Sequence, residues 1–318
     1  MTTVHVAIAQ AAPAADLESG LRKADALAKE AALAGAQLVV FPETWLPGYP
    51  AWLDHCRDAA LWDHAPVKAV YARLAEESVT VPGPATEALG SIAAESSVTL
   101  VVGASERVER GRGRGTLYNA LLTFGPDGAL LNHHRKLTPA YTEHLVFGGG
   151  DASGLRAVDT PAGRIGGLIC WEHWSPLSRQ ALHESGEDVH VAAWPTVKPM
   201  SLMASRHYAF EGRCWVLAAG SVQRAAALPA GLEPHPHRVP DAAYAVVAGG
   251  SCIIAPDGDV VAGPAGEESA ILVADVDPGR VREEHMTLDV AGHYARPDCF
   301  RLQRMEAGAL RPAGAGIG

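Results

Sequence analysis

Residues 37–41 (QLVVF) are apolar at every position after the first. A strand of that kind has no face for water, so layers must cover it on both sides. Pro42 stops it, because proline cannot donate to a central ladder. The same pattern returns along the chain. Residues 4–9, 99–104, 164–169, 189–193, 215–221 and 270–276 are further apolar strand candidates. Residues 17–34, 85–96, 177–185 and 201–212 have helical spacing and separate them. GPDG between residues 117–124 and 130–134, and APDGD between 250–255 and 260–263, are turn signals that predict hairpins. Strands alternating with helices imply an α/β fold.

Length does not choose between one large domain and two modest ones. No composition break divides the chain, so the reading is one α/β domain over residues 1–280. Residues 281–318 form a C-terminal tail, partly oligomer contact or disordered, with AGALRPAGAGIG expected to fray. Residues 226–240, rich in Pro, Leu and His, are expected to form a mobile insertion.

The chain has 318 residues, 48% hydrophobic and 19% charged, which excludes a disordered polymer. Its net charge is 26 − 36 = −10, which argues against nucleic acid or an anionic membrane as partner. No run of about 18 apolar residues occurs, and MTTVHVAIAQ lacks the basic start of a signal peptide. Five widely spaced cysteines without a CxxC fit a reducing cytoplasm rather than a disulfide framework.

Three reactive residues each follow an apolar strand: Glu43 after QLVVFP, Lys136 after LLNHHR and Cys170 after RIGGLI. Sites in α/β sheets gather at the carboxyl ends of strands. A free thiol with a pKa of ~8.5 is a poor nucleophile at neutral pH. A carboxylate can take its proton, and an ammonium can stabilise both the thiolate and the charge that develops on the attacked group. Taken singly, each residue has a plainer role: a buried cysteine is a small hydrophobe, and a Glu or Lys after a strand faces water. Their surroundings favour the chemical reading. Trp45, Tyr49 and Trp52 follow Glu43, and Trp171 and Trp174 flank Cys170, in a chain that is only 6% aromatic. Aromatic walls shape an apolar pocket.

FPETWLPGYP, HHRKLTPAYTE and GGLICWEHWSPL resemble the three signature segments of the nitrilase superfamily, with its Glu-Lys-Cys triad, in the family's order and spacing. The resemblance implies a four-layer αββα sandwich. CWEH, and the later VAAWPTVKPM…SRHYAFEGRCWVLAAGS, resemble the nitrilase branch rather than the amidases and carbamylases, which tend to place an aromatic-then-Asp pair after the cysteine. The implied reaction is hydrolysis of a nitrile to a carboxylic acid and ammonia, without metal or organic cofactor. On that resemblance Cys170 is the nucleophile and Glu43 the general base. Lys136 stabilises the tetrahedral intermediate with the Trp171 amide, and Glu143 positions Lys136 or the substrate. One departure is Ala140, where many relatives carry Thr. Trp45, Tyr49, Trp171, His173, Trp194 and Pro195 are the pocket candidates. A homo-oligomer is implied, while the short tail argues against long filaments.

Four other readings compete. An amidase or N-carbamoyl hydrolase of the same superfamily stays open. A metalloenzyme is suggested by 14 histidines, including His133–His134 and EPHPH, but no HExxH or zinc spacing occurs. GRGRG is neither a P-loop nor GxGxxG. A binding protein that kept the fold would not need an intact Glu43, Lys136 and Cys170.

Overall fold

A computed structural model describes residues 3–304; AGALRPAGAGIG lies outside the described residues. The first sheet contains β1 (Val4–Gln10), β2 (Leu38–Val40), β3 (Thr99–Arg107), β4 (Leu117–Phe124), β5 (Leu130–Arg135) and, from far along the chain, β14 (Ala270–Val276), in the order β14-β1-β2-β3-β4-β5. The second contains β6 (Val158–Thr160), β7 (Gly163–Ile169), β8 (Val189–Ala193), β9 (Trp215–Ala219), β12 (Cys252–Ile254) and β13 (Val260–Ala262), ordered β13-β12-β9-β8-β7-β6. A small ribbon pairs β10 (Val222–Arg224) with β11 (Ala245–Ala248). The helices are α1 (Leu17–Leu33), α2 (Trp52–His55), α3 (Ala65–Glu76), α4 (Pro84–Ser96), α5 (Pro176–His183), α6 (Pro199–Gly212) and α7 (Pro278–Glu284). No helix among the described residues is long and apolar enough to cross a membrane.

The period-two alternation of β1 shows how the layers assemble. Val4, Val6 and Ile8 pack with the strands of the second sheet. Ala7 and Ala9, on the opposite face, pack against Ala24, Ala28 and Ala31 of α1 and Leu89 and Ile92 of α4. Beyond the second sheet, Ala181 and Leu182 of α5 and Ala204, Tyr208 and Ala209 of α6 close the core. The result is the four-layer αββα sandwich. QLVVF is covered on both faces because a helix layer lies on one side and a second sheet on the other.

The structure departs from the sequence reading in its short elements, β6, β10, β11, α2 and α7, and in two larger features. Val67, Val70, Tyr71 and Leu74 carry a helical repeat that forms α3, an element the sequence reading does not include. The 226–240 segment is pinned rather than free. Leu228 and Leu232 are buried with Trp52, Leu53 and Cys56, and Pro234 bridges to Cys56.

Candidate active site

The strand directions bring the three reactive residues together. β1, β2 and β3 are parallel. The chain then reverses into β4 and again into β5, so β5 runs with β2. The ends of β2 and β5, carrying Glu43 and Lys136, therefore lie at the same edge of the first sheet. β7 of the facing sheet brings Cys170 to them. Oxygens of Glu43 and Glu143 and the sulfur of Cys170 lie within 4.8 Å of one another. Lys136 Nζ donates to Glu43 Oε1 at 2.8 Å and to Glu143 Oε2 at 2.7 Å. The ammonium thus occupies the place between the two carboxylates that a bound cation would take.

All four side chains are buried, so their charges are strongly coupled. Burial pushes Glu43 up to about 7; Lys136 opposes the rise and the Glu143 charge adds to it. Burial also raises the Cys170 thiol well above its ordinary value, and Glu43 adds to this against the pull of Lys136. Burial disfavours the Lys136 ammonium, but Glu43, Cys170 and Glu143 outweigh it and hold its pKa above the usual lysine value. The resting site therefore holds a neutral thiol beside a fixed positive charge. Glu43 Oε1 is engaged twice, by Lys136 and by Asn119 Nδ2 at 2.6 Å. Its Oε2 is buried without a hydrogen-bond partner, which leaves that oxygen able to accept a proton.

Glu143 sits in a 3-10 turn, Tyr141–Leu145. Its Oε2 accepts from the Ala140 amide at 3.0 Å, and its Oε1 accepts from the Tyr49 hydroxyl at 3.2 Å. The bond at residue 140 uses the backbone, so it needs no threonine side chain there.

Cys170 stands on a tight turn. β7 ends at Ile169, and Cys170 adopts φ 51° at the start of the 3-10 turn Cys170–Trp174. That left-handed conformation is costly for a residue with a Cβ. Glu172 helps to hold it. Its carboxylate accepts from the Ile169 amide at 2.8 Å, the Leu137 amide at 2.8 Å and His134 Nε2 at 2.9 Å. One side chain thereby ties the cysteine turn to the residue after Lys136. Despite its burial, His134 and the two amides hold Glu172 below the ordinary carboxylate range.

The sequence reading assigned no role to Glu172, His134 or Asn119. Asn119 is detectable as a polar residue inside the apolar run LYNALLTF. Glu172 and His134 lie within quoted motifs, but only the meeting of the two sheets shows that they touch.

Glu43 is placed by close backbone packing. A Cβ on Gly103 of β3 would come within 2.7 Å of the Thr44 nitrogen and 2.8 Å of the Glu43 Cα. These are backbone atoms and cannot swing aside. Gly103→Ala is expected to cost about 3 kcal/mol of stability, the upper end of overpacking penalties, and to lower kcat about tenfold by displacing Glu43. Urea unfolding and steady-state rates on the same preparation check both.

The cluster opens into a cavity of about 840 Å³. Tyr49, Trp171, Trp194 and Pro195 line it, together with Leu137, Val246 and Val247. The other two pocket candidates lie elsewhere. Trp45 is buried in the outer layer, tilted against Phe41, with its indole N–H on the Ala11 carbonyl at 2.9 Å. Burial there satisfies both its apolar ring and its single donor. His173 is buried beneath the cysteine turn, stacked on Trp194 and bonded to the Cys170 carbonyl.

Known proteins resemble this chain in sequence and in fold. A "Nitrilase 2" from an unknown prokaryotic organism is 40% identical over 94% of this chain and 92% of its own. An aliphatic nitrilase from Sinorhizobium fredii is 38% identical, covering 95% and 96%. Among solved structures, a carbon-nitrogen hydrolase from Helicobacter pylori superposes with a TM-score of 0.67 at 17% identity, covering 90% and 92%. A nitrilase-superfamily member from Saccharomyces cerevisiae gives 0.67 at 18%, covering 92% and 96%; likeness at this low identity speaks for the fold. Residues 5–285 match the carbon-nitrogen hydrolase family itself. With the fold, the buried cluster and this match in agreement, the chain belongs to the carbon-nitrogen hydrolase family.

Proposed function

We propose that the protein is a nitrilase that hydrolyses an organic nitrile to its carboxylic acid and ammonia, with Cys170 as nucleophile, Glu43 as general base, Lys136 as electrostatic stabiliser and Glu143 as its positioning partner. The observation that carries this reading is the buried Cys170 thiol within 4.8 Å of two carboxylates that share one ammonium, in a chain whose relatives of similar length are nitrilases.

Glu43 takes the thiol proton as sulfur bonds to the nitrile carbon, and that proton passes to nitrogen, giving a thioimidate. Water adds to the carbon, with Glu43 accepting its proton. Glu43 passes that proton to nitrogen, and collapse, with the hydroxyl proton moving to the leaving nitrogen, expels ammonia and leaves a thioester. A second water releases the acid and returns the proton to sulfur. Lys136 and the Trp171 amide, both of which favour the Cys170 thiolate, stabilise the charge that develops at each addition.

Glu43 gives a pH signature. Protonated Glu43 cannot accept the thiol proton, so kcat/KM should fall as pH drops through about 7, approaching tenfold per unit below it. A profile flat from pH 5.5 to 8 would contradict the assignment. The substrate class is tested by ammonia and acid release from an aliphatic dinitrile, benzonitrile and phenylacetonitrile, each beside its amide. Acid from nitriles but not amides is the expected result. Turnover of amides alone would place the chain with the amidases.

The chain is further read as a homo-oligomer of the reducing cytoplasm. Trp171, Trp174, Leu177, Met200, Met203 and Phe210 expose apolar surface around α5 and α6, which suits self-association. The five cysteines are free, which suits a reducing compartment. Light scattering should give a mass above the 33.3 kDa of one chain; a monomer at micromolar concentration would overturn the oligomer.

A further inference from the structure

Beneath the cysteine turn runs a buried polar chain that the mechanism above does not use. His173 Nδ1 lies 2.8 Å from the Cys170 carbonyl oxygen, and His173 Nε2 lies 3.0 Å from His190 Nε2. His190 Nδ1 lies 2.7 Å from Glu187 Oε1, and the Tyr208 hydroxyl donates to Glu187 Oε2. All four side chains are buried. Gly166 of β7 makes room for the Glu187 carboxyl, which a Cβ there would overlap.

The direction of these bonds follows from one end. A carbonyl oxygen only accepts, so His173 carries its hydrogen on Nδ1. Burial, with the neighbouring His190, holds His173 down to about 3, so the ring is neutral and its Nε2 is bare. His190 must therefore donate from Nε2. Burial holds His190 well below the usual range as well, so its Nδ1 is bare and must be met by a donor. The atom facing it belongs to Glu187, whose carboxyl is pushed up to about 7 by burial.

The surrounding charges are largely answered elsewhere. On α5, Arg179 pairs with Glu211 of α6 and donates to the His173 carbonyl. In the cysteine turn, Glu172 pairs with His134 of β5. His183 of α5 faces Glu187 but turns its Nε2 to Glu211 at 3.2 Å.

We propose that Glu187 is a positioning residue whose protonated carboxyl, through His190 and His173, holds the Cys170 carbonyl and with it the left-handed turn that presents the thiol. An ionised Glu187 would place its carboxylate against the bare Nδ1 of His190. The resulting hydrogen shift would put two bare ring nitrogens face to face and release the turn.

The inference rests on Cys170 being the nucleophile, so its test reads Cys170 directly as well as turnover. Glu187→Gln keeps a donor for His190 and an acceptor for Tyr208. Glu187→Met has a similar length and neither group. Alkylation of Cys170 by iodoacetamide, located by peptide mapping, and steady-state kinetics are measured on both. The Gln variant should stay within about threefold of the parent in both readings. The Met variant should lose about tenfold in kcat and in alkylation rate with KM little changed, as expected for a misplaced reacting group. A Met variant at parental rates, or a Gln variant as impaired as Met, would overturn the proposal. If the Met chain does not fold, nitrogen-15 spectra of the parent's histidines decide. Hydrogen on Nε2 alone of His190 supports the assignment, and hydrogen on Nδ1 refutes it. A wrong substrate class would silence turnover but leave the alkylation ratios unchanged.

Discussion

Cys170→Ala is expected to lower kcat by about four orders of magnitude or more, because loss of the nucleophile disables the triad as a unit. The fold should survive. The side chain is small and buried between the second sheet and the cavity, and removing one sulfur costs roughly 1–2 kcal/mol, the scale of an ordinary core truncation. Thermal unfolding beside a nitrile assay separates the two effects. A folded variant that keeps more than a hundredth of parental turnover would remove Cys170 from the chemistry. Such a result could not be blamed on another thiol in the cavity, since Cys170 is the one cysteine among the described residues that line it.

Lys136→Met should damage both activity and stability. It removes the charge that stabilises each addition, with an expected loss of about a thousandfold in kcat. It also leaves Glu43 and Glu143 buried without their shared cation. Removing one partner of a buried ion pair costs about 3–5 kcal/mol. The sign of the pH dependence follows from linkage. Glu43 already has a folded-state pKa raised to about 7 by burial. Without Lys136, which opposes that rise, it should climb further, so the folded variant binds a proton that the unfolded chain has released. Stability therefore falls as pH rises. The deficit should be larger at pH 8 than at pH 5.5, where Glu43 can be neutral. Equilibrium urea unfolding at the two pH values measures it. Equal deficits would mean that lost packing, not unpaired charge, sets the cost.

The longer strands and helices α1, α4, α5 and α6 were legible because their pattern is local. A strand covered on both faces must be apolar throughout, and QLVVF is. Helices α1 and α4 show their repeat because one face meets a sheet and the other meets water. The aromatic pocket candidates were less legible. Trp45 and Trp171 both follow reactive residues within two positions, yet one is buried under α1 and the other stands exposed at the cavity. Sequence proximity does not give side-chain direction around a left-handed turn such as Thr44, with φ 42°.

The sequence by itself determined the alternation of covered strands and helices, and the placing of Glu43, Lys136 and Cys170 just beyond three strand ends. Those features depend on neighbours along the chain. Only the tertiary structure decided that the three converge, that Lys136 bridges two carboxylates, that Glu172 ties one sheet to the other, and that His173 points away from the cavity toward Glu187. Each of these depends on the distance between residues many positions apart, and on burial, which sets the strength of a charge and the identity of the atom that carries a proton.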